Sequence, residues 1–134
     1  MSVRETGTRS HADPPVSEAA TVQFGERDLP RITDRVIETP VGRALGHSAR
    51  WEGGQYCAIL TRKGLIGCGA YHVPTMEHFG QAVAIARGTP ANPLCEPEDL
   101  YCARIVEATA QAQALGIRVG DTGLDALAKL LAAE

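Results

Sequence analysis

The residues of this chain whose types and spacing could do chemistry are the thiols and the imidazole of one glycine-rich stretch near its middle. A cysteine thiolate with an imidazole as its base is a nucleophile for covalent catalysis. We therefore consider a small enzyme that uses Cys68 or Cys57 with His72 as its base. Cys68 and His72 are separated by roughly 13 Å along an unbroken strand at ~3.3 Å per residue, so the pair needs a break in that strand to meet.

The two glycines that flank Cys68 indicate a second kind of site. A hairpin needs no glycine at Gly67 and Gly69, and glycine within a strand leaves bare backbone that another strand, a second subunit or a flat ligand can approach closely. Tyr71 follows on the same face, and Gln55 begins the preceding strand. We expect these four residues to line a surface that binds a small molecule or a second copy of the chain.

The turn at residues 62–64 decides which residues share a face of this hairpin. A two-residue loop made of Lys63 and Gly64 would place four polar side chains on one face: Gln55, Cys57, Cys68 and His72. A three-residue loop places Cys57 and Cys68 on opposite faces, because a shift of one residue exchanges the faces. We favour the three-residue loop, since only Gly64 must then adopt a positive φ. Cys68 is then a small buried hydrophobic residue under the helices.

Metal, phosphate and nucleic-acid chemistry have weaker support. His72 and His78 could converge, but they lack a third ligand at metal-site spacing, so we expect neither a metal nor a cofactor. The glycines of residues 116–123 precede a helix without the lysine of a phosphate loop. The net charge is −3, aromatic residues make up 4% of the chain, and no basic stripe is present, so nucleic-acid binding is not expected.

The elements that must position these residues are short strands followed by helices. Between residues 35 and 73, β-compatible runs are separated by turn residues, which predicts an antiparallel meander of three or four strands. Strands followed by helices predict the α+β class, with two to three helices packed on one face of the sheet.

Apolar residues at helical spacing predict the helices that follow the meander. The first runs over residues 76–87, between an N-cap at Thr75 and a terminating Gly88. The second runs over residues 97–115. The third begins after Thr122, which forms a capping pair with the acidic residue three positions later.

The first twenty residues differ from the rest of the chain. They are polar, carry Pro14-Pro15 and show no periodicity, so we expect a mobile N-terminal arm over residues 1–20 or one ordered by a partner. Residues 21–24 could add a short strand. Residues 21–134 are then expected to form one α+β domain.

The sequence favours a cytoplasmic protein. No apolar segment approaches the ~20 residues that a membrane span needs, and the N-terminus lacks the apolar region of a signal peptide. Cytoplasmic thiols are usually reduced, so the cysteines do not predict a disulfide framework.

Four segments together resemble the YunC-like family of domains of unknown function: WEGGQ at 51–55, KGLIGCG at 63–69, EDL at 98–100 and LGIRVGDTGLDAL at 115–127. The resemblance covers roughly residues 35–130. It implies a small α+β domain and no established activity, so no catalytic residue is carried over from it.

Three hypotheses of function follow. The first is a domain that self-associates as a homo-oligomer and binds a small molecule near Gln55, Gly67, Gly69 and Tyr71. The second is the cysteine enzyme described above. The third is an accessory protein that docks a partner through the arm over residues 1–20.

Overall fold

A computed structural model describes residues 29–134 of the chain. The arm over residues 1–20 and the strand at residues 21–24 lie outside the described residues. Within residues 29–134 the chain forms a six-stranded sheet, three short α-helices and one 3-10 helix. The α+β class predicted from the sequence is confirmed.

The order of the strands across the sheet follows their order in the chain. The strands are β1 Arg31–Thr39, β2 Gly42–Trp51, β3 Gly54–Leu60, β4 Gly64–Gly67, β5 Ala82–Arg87 and β6 Arg104–Ala108. The helices are α1 Val73–His78, the 3-10 helix Pro97–Leu100, α2 Ala110–Ala114 and α3 Gly123–Ala132. β1 to β4 form an antiparallel meander, β5 runs parallel to β4, and β6 is antiparallel to β5. The parallel pair requires a crossover, and α1 lies within it.

The hairpin between β3 and β4 has a register that differs from the predicted one. Leu60 lies opposite Leu65, and the Thr61 N–H donates to the Gly64 carbonyl at 2.8 Å, so the loop contains only the two residues 62–63. The predicted three-residue loop is therefore wrong. Oγ1 of Thr61 accepts hydrogen bonds from the amides of Lys63 and Gly64, at 3.2 and 3.1 Å, so a threonine side chain stabilises this turn.

This register places Cys57 and Cys68 directly opposite each other. The Cys68 N–H donates to the Cys57 carbonyl at 3.2 Å, which extends the ladder of β3 and β4 by one pair. The prediction that the two cysteines lie on opposite faces is therefore wrong. Both share the face of Ile59 and Ile66, which we call the core face.

The hydrophobic core lies on the core face, beneath α3 and the 3-10 helix. Leu100 comes from the 3-10 helix, and Leu127 and Leu130 come from α3; none of the three is exposed. The buried cluster also contains strand residues Ile37, Ala44, Cys57, Ile59, Ile66, Ala82, Ala84, Ala86 and Ile105. The opposite side of the sheet, which we call the outer face, carries Tyr56, Ala58 and Gly67.

The predicted helix over residues 76–87 is wrong in its second half. α1 ends at His78, Gly80 follows with a φ of 74°, and residues 82–87 form β5. Five of the six β5 residues are buried, so this segment is apolar on both faces. A strand covered on both faces has a continuous apolar run, which periodicity alone cannot distinguish from a buried helix.

The predicted helix over residues 97–115 is divided into three elements. A 3-10 turn comes first, β6 follows with a β-branched pair at its centre, and α2 is only five residues long. Thr109 separates β6 from α2: its Oγ1 accepts from the Ala112 amide at 3.2 Å and from the Val83 amide at 3.0 Å. The third predicted helix is confirmed, because Thr122 and Asp125 cap α3 reciprocally.

None of the described helices has the length and apolar character that a membrane-spanning segment requires.

Candidate functional site

A cleft of about 440 Å³ opens at the edge of the sheet where the parallel strands β4 and β5 end. We call it the β4–β5 cleft. Its polar lining consists of Gln55 from the start of β3, Cys68 and Gly69 after β4, Arg87 at the end of β5 and Glu107 from β6. The carboxyl ends of adjacent parallel strands meet at one edge, and crevices outside such ends are common ligand sites in open sheets.

The two cysteines beneath this cleft differ in their access to solvent. Cys57 is fully buried, whereas Cys68 keeps 9% of its surface exposed and lines the cleft. Burial, together with the smaller effect of the neighbouring Cys68, raises the pKa of the Cys57 thiol to about 12. Cys57 therefore stays protonated near neutral pH, and Cys68 is the thiol that a molecule in the cleft meets.

Arg87 and Glu107 bring charge to the cleft. Within the part of the chain that the structure describes, neither side chain has a hydrogen-bond or ion-pair partner. Arg50, by contrast, pairs with Glu96, and Arg35 pairs with Glu98 at 2.7 Å. The cleft thus holds a guanidinium whose donors are open to an external acceptor.

The loop between β5 and the 3-10 helix forms one wall of the cleft through Leu94. The Arg50 guanidinium holds the end of this loop by its bond to the Glu96 carboxylate. Oδ2 of Asp99 accepts the amide hydrogens of Cys95 at 3.0 Å and of Glu96 at 2.8 Å, which caps the 3-10 helix. The Arg50–Glu96 pair therefore ties the wall to β2, and the Asp99 carboxylate fixes the wall internally.

The structure divides the four predicted ligand-binding residues into two pairs. Gln55 and Gly69 both line the β4–β5 cleft. Gly67 faces the outer side, where a Cβ would lie 2.5 Å from Cδ2 and 2.6 Å from Cε2 of Tyr71. The close neighbour expected at Gly67 is therefore the Tyr71 ring of the same chain.

The predicted catalytic pair is divided between the cleft and the start of α1. Cys68 lines the cleft, whereas His72 is exposed in the N-cap position of α1. Nδ1 of His72 lies 2.7 Å from Oγ1 of Thr75. No hydrogen bond joins Cys68 and His72 among the bonds of the described residues.

A row of polar and aromatic side chains on the outer face was not predicted from the sequence. Oδ1 of Asp34 pairs with Nδ1 of His47, and Nε2 of His47 lies 3.3 Å from the Tyr56 hydroxyl. An ionised carboxylate only accepts, so Nδ1 of His47 donates to Asp34. Trp51 and Tyr71 flank Tyr56, with ring centroids 6.1 and 6.4 Å away.

Sequence reasoning also missed Arg87 and Glu107, because it placed both residues in helices. The signal that favoured strands was the β-branched content of the segments AVAIAR and RIVEA. Among the described residues, no three His, Cys, Asp or Glu side chains are grouped so that they could hold a metal ion.

Residues 29–134 have an α+β fold with one parallel strand pair inside an otherwise antiparallel sheet, and the cleft lies at the end of that pair. Residues 67–130 match the family model of a domain of unknown function, DUF1805. This stretch contains Cys68, Gly69, Arg87 and Glu107 of the cleft.

The fold resembles the crystal structure of a protein of unknown function, TA1206, from Thermoplasma acidophilum. The TM-score is 0.64 and the sequence identity is 23%, and the alignment covers 75% of this chain and 94% of that chain. No curated protein matches the sequence. These comparisons support the fold and a family of unknown function, and they assign no activity.

Proposed function

We propose that this domain binds a small polar molecule carrying an acidic group in the β4–β5 cleft. The observation that carries the proposal is the Arg87 guanidinium, which lines the cleft without a partner among residues 29–134. Guanidinium groups bind carboxylates and phosphates through paired, charge-assisted hydrogen bonds. Gln55 and Glu107 can bond to a hydroxyl or amino group of the same ligand, and the bare Gly69 backbone admits it closely.

The proposal is tested by ligand-observed NMR with acetate, succinate, inorganic phosphate and AMP. We expect at least one of these anions to bind the full chain and to bind Arg87→Gln about 10- to 100-fold more weakly, since a hydrogen bond to a charged group contributes roughly 1.5–3 kcal/mol. Arg62→Gln makes the same charge change on the β3–β4 turn and should bind as the wild type does. Equal affinity of Arg87→Gln and wild type would contradict the proposal.

Self-association is the second part of the proposal. We propose that a second copy of the chain binds along β1. Within residues 29–134, β1 is the first strand of the sheet, and its side chains Ile32 and Val36 are each 63% exposed on the outer face. An edge strand with exposed apolar side chains is a template for pairing with another strand. A homo-oligomer formed through β1 would cover both side chains.

The cysteine enzyme remains a second candidate function. Access to the cleft favours Cys68 over Cys57 as its nucleophile, because the raised pKa of Cys57 keeps that thiol protonated. His72 would have to act through its Nε2 atom, since Nδ1 already pairs with Thr75.

Two further proposals rest on the sequence. We propose that the DUF1805 match over residues 67–130 and the resemblance to the YunC-like family reflect one family. Docking of a partner through the arm over residues 1–20 is the third candidate function, and binding that persists after deletion of the arm would contradict it.

A further inference from the structure

The positions of Cys57 and Cys68 on adjacent strands are compatible with a disulfide. The two residues lie directly opposite each other and are joined by the Cys68 N–H bond to the Cys57 carbonyl at 3.2 Å. Hydrogen-bonded partners in an antiparallel ladder have Cα atoms about 5.5 Å apart. Disulfides span Cα separations of about 4.4–6.8 Å, so the two backbones already lie within the range that a disulfide bridges.

The location of the pair makes one sulfur accessible and keeps the other behind it. Cys68 lines the β4–β5 cleft, and beside it a Cβ on Gly69 would have no neighbour within 4 Å. Cys57 is fully buried on the neighbouring strand. A reagent in the cleft therefore reaches Cys68 first, and Cys57 can react only with a group already attached to Cys68.

We propose that Cys57 and Cys68 form a redox-active dithiol in the floor of the β4–β5 cleft, and that low-molecular-weight disulfides such as oxidised glutathione convert it to an intrachain disulfide. This proposal does not depend on the acidic ligand proposed for Arg87.

The reaction proceeds by two thiol–disulfide exchanges. The Cys68 thiolate attacks one sulfur of the small disulfide, which forms a mixed disulfide and releases one small thiolate. The Cys57 thiolate then attacks the Cys68 sulfur, which forms the Cys57–Cys68 bond and releases the second small thiolate. The two protons lost by the protein thiols are taken up by the two released thiolates, so the dithiol is oxidised and one small disulfide is reduced to two thiols.

Two features make this disulfide reversible rather than structural. Cβ atoms of hydrogen-bonded pairs lie about 5 Å apart or slightly more, beyond the ~3.8 Å mean of disulfides, so the bond forms under strain and is readily reduced. The pair also lies at the end of β4, where the strand gives way to the turn after Gly67 and the backbone can adjust.

Burial of Cys57 sets the order and speed of the two steps. Because the pKa of its thiol is raised to about 12, the thiolate needed for the second exchange is scarce at neutral pH. We therefore expect the mixed disulfide on Cys68 to accumulate first. At pH values below that pKa, the second step should accelerate about tenfold for each unit by which the pH is raised, because the thiolate fraction rises in the same proportion.

Peptide mapping of the full chain tests the proposal, because trypsin separates the cysteines. Cys57 falls in peptide 51–62, Cys68 in peptide 64–87, and the two remaining described cysteines share peptide 88–104. After incubation with oxidised glutathione at pH 7 to 9 and denaturing alkylation, we expect glutathione on 64–87 and later a disulfide joining 51–62 to 64–87. A link from 51–62 to 88–104, which would implicate Cys95, overturns the proposal. So does glutathione on 64–87 that never gives way to a cross-link.

Matched variants separate the two steps. Cys57→Ser should stop at glutathione on 64–87, and Cys68→Ser should leave 51–62 unmodified. Cys102→Ser removes an exposed thiol and should cross-link as the wild type does. Modification of 51–62 in Cys68→Ser overturns the order of attack. If a variant at Cys57 or Cys68 does not fold, the wild type still tests the proposal: the mixed disulfide on 64–87 must appear before the disulfide that joins 51–62 to 64–87.

Discussion

The ring of Tyr71 packs directly against the backbone of Gly67 on the outer face of the sheet. A Cβ at Gly67 would lie 2.5 Å from Cδ2 of that ring, a distance that real Cβ atoms essentially never show. The ring in turn contacts Tyr56 edge-on. The glycine is therefore required for packing within the chain at this position.

We predict that Gly67→Ala lowers the free energy of unfolding by about 1–3 kcal/mol, because the added methyl group overpacks the contact with Tyr71. Urea denaturation measures the change. Gly69→Ala is the matched control: its Cβ would meet nothing within 4 Å, so we expect a change within about 0.5 kcal/mol. The cost of Gly67→Ala should also fall when Tyr71 is replaced by Ala, and an undiminished cost in that background would contradict the proposed cause.

The hairpin illustrates what the sequence can predict and what it cannot. Alternating apolar residues and turn residues were sufficient to predict β3, β4 and a tight turn between them. The register depended on Thr61, whose side chain bonds to two turn amides, and on Gly64, where a Cβ would collide with the Ala82 carbonyl of β5. That second contact is long-range, so no local pattern could indicate it.

The cleft could not be predicted from the sequence, for a related reason. Its Arg87 belongs to a segment whose apolar residues fit a helix or a strand buried on both faces, and only the sheet decides between them. The capping pair of Thr122 and Asp125, by contrast, is a local signal and was predicted correctly.

The cap of α3 gives a second prediction. Oγ1 of Thr122 accepts the Asp125 amide hydrogen at 3.1 Å, and the Asp125 carboxylate accepts from the Thr122 amide at 3.0 Å. Thr122→Ala should lower the free energy of unfolding by about 1 kcal/mol, because the amide loses its partner at the N-terminus of the helix. Thr33→Ala on exposed β1 is the control and should have a smaller effect in the same thermal and urea unfolding experiments. Equal effects would show that the cap does not stabilise α3.

Burial of Cys57 predicts a pH dependence of stability. Its pKa rises from an ordinary 9.0 to about 12 in the folded protein. The folded state therefore favours the protonated thiol, and this contribution is complete below pH 9 and is lost as the pH rises toward 12. Between pH 8 and 10 the loss is on the order of 1 kcal/mol, because the unfolded thiol ionises while the folded thiol does not.

The measurement compares the slope of unfolding free energy against pH for wild type and Cys57→Ala. The variant should lose less stability than wild type between pH 8 and 10, by on the order of 1 kcal/mol, whatever its stability at pH 8. Cys102→Ala, at an exposed thiol, should keep the wild-type slope. Equal slopes for Cys57→Ala and wild type would show that burial does not raise the pKa of the Cys57 thiol.

Self-association through β1 gives the last prediction. Ile32 and Val36 are each 63% exposed on one face of the strand, and covering a side chain of this size contributes roughly 1.5–3 kcal/mol. Val36→Lys should therefore weaken the oligomer at least tenfold in sedimentation equilibrium, because it places a charge at the contact. Val119→Lys makes the same change at a side chain that is 66% exposed in the loop before α3, and it should leave the association constant unchanged. A wild-type chain that stays monomeric at millimolar concentration would rule out the interface, and equal weakening by the two variants would place it elsewhere on the surface.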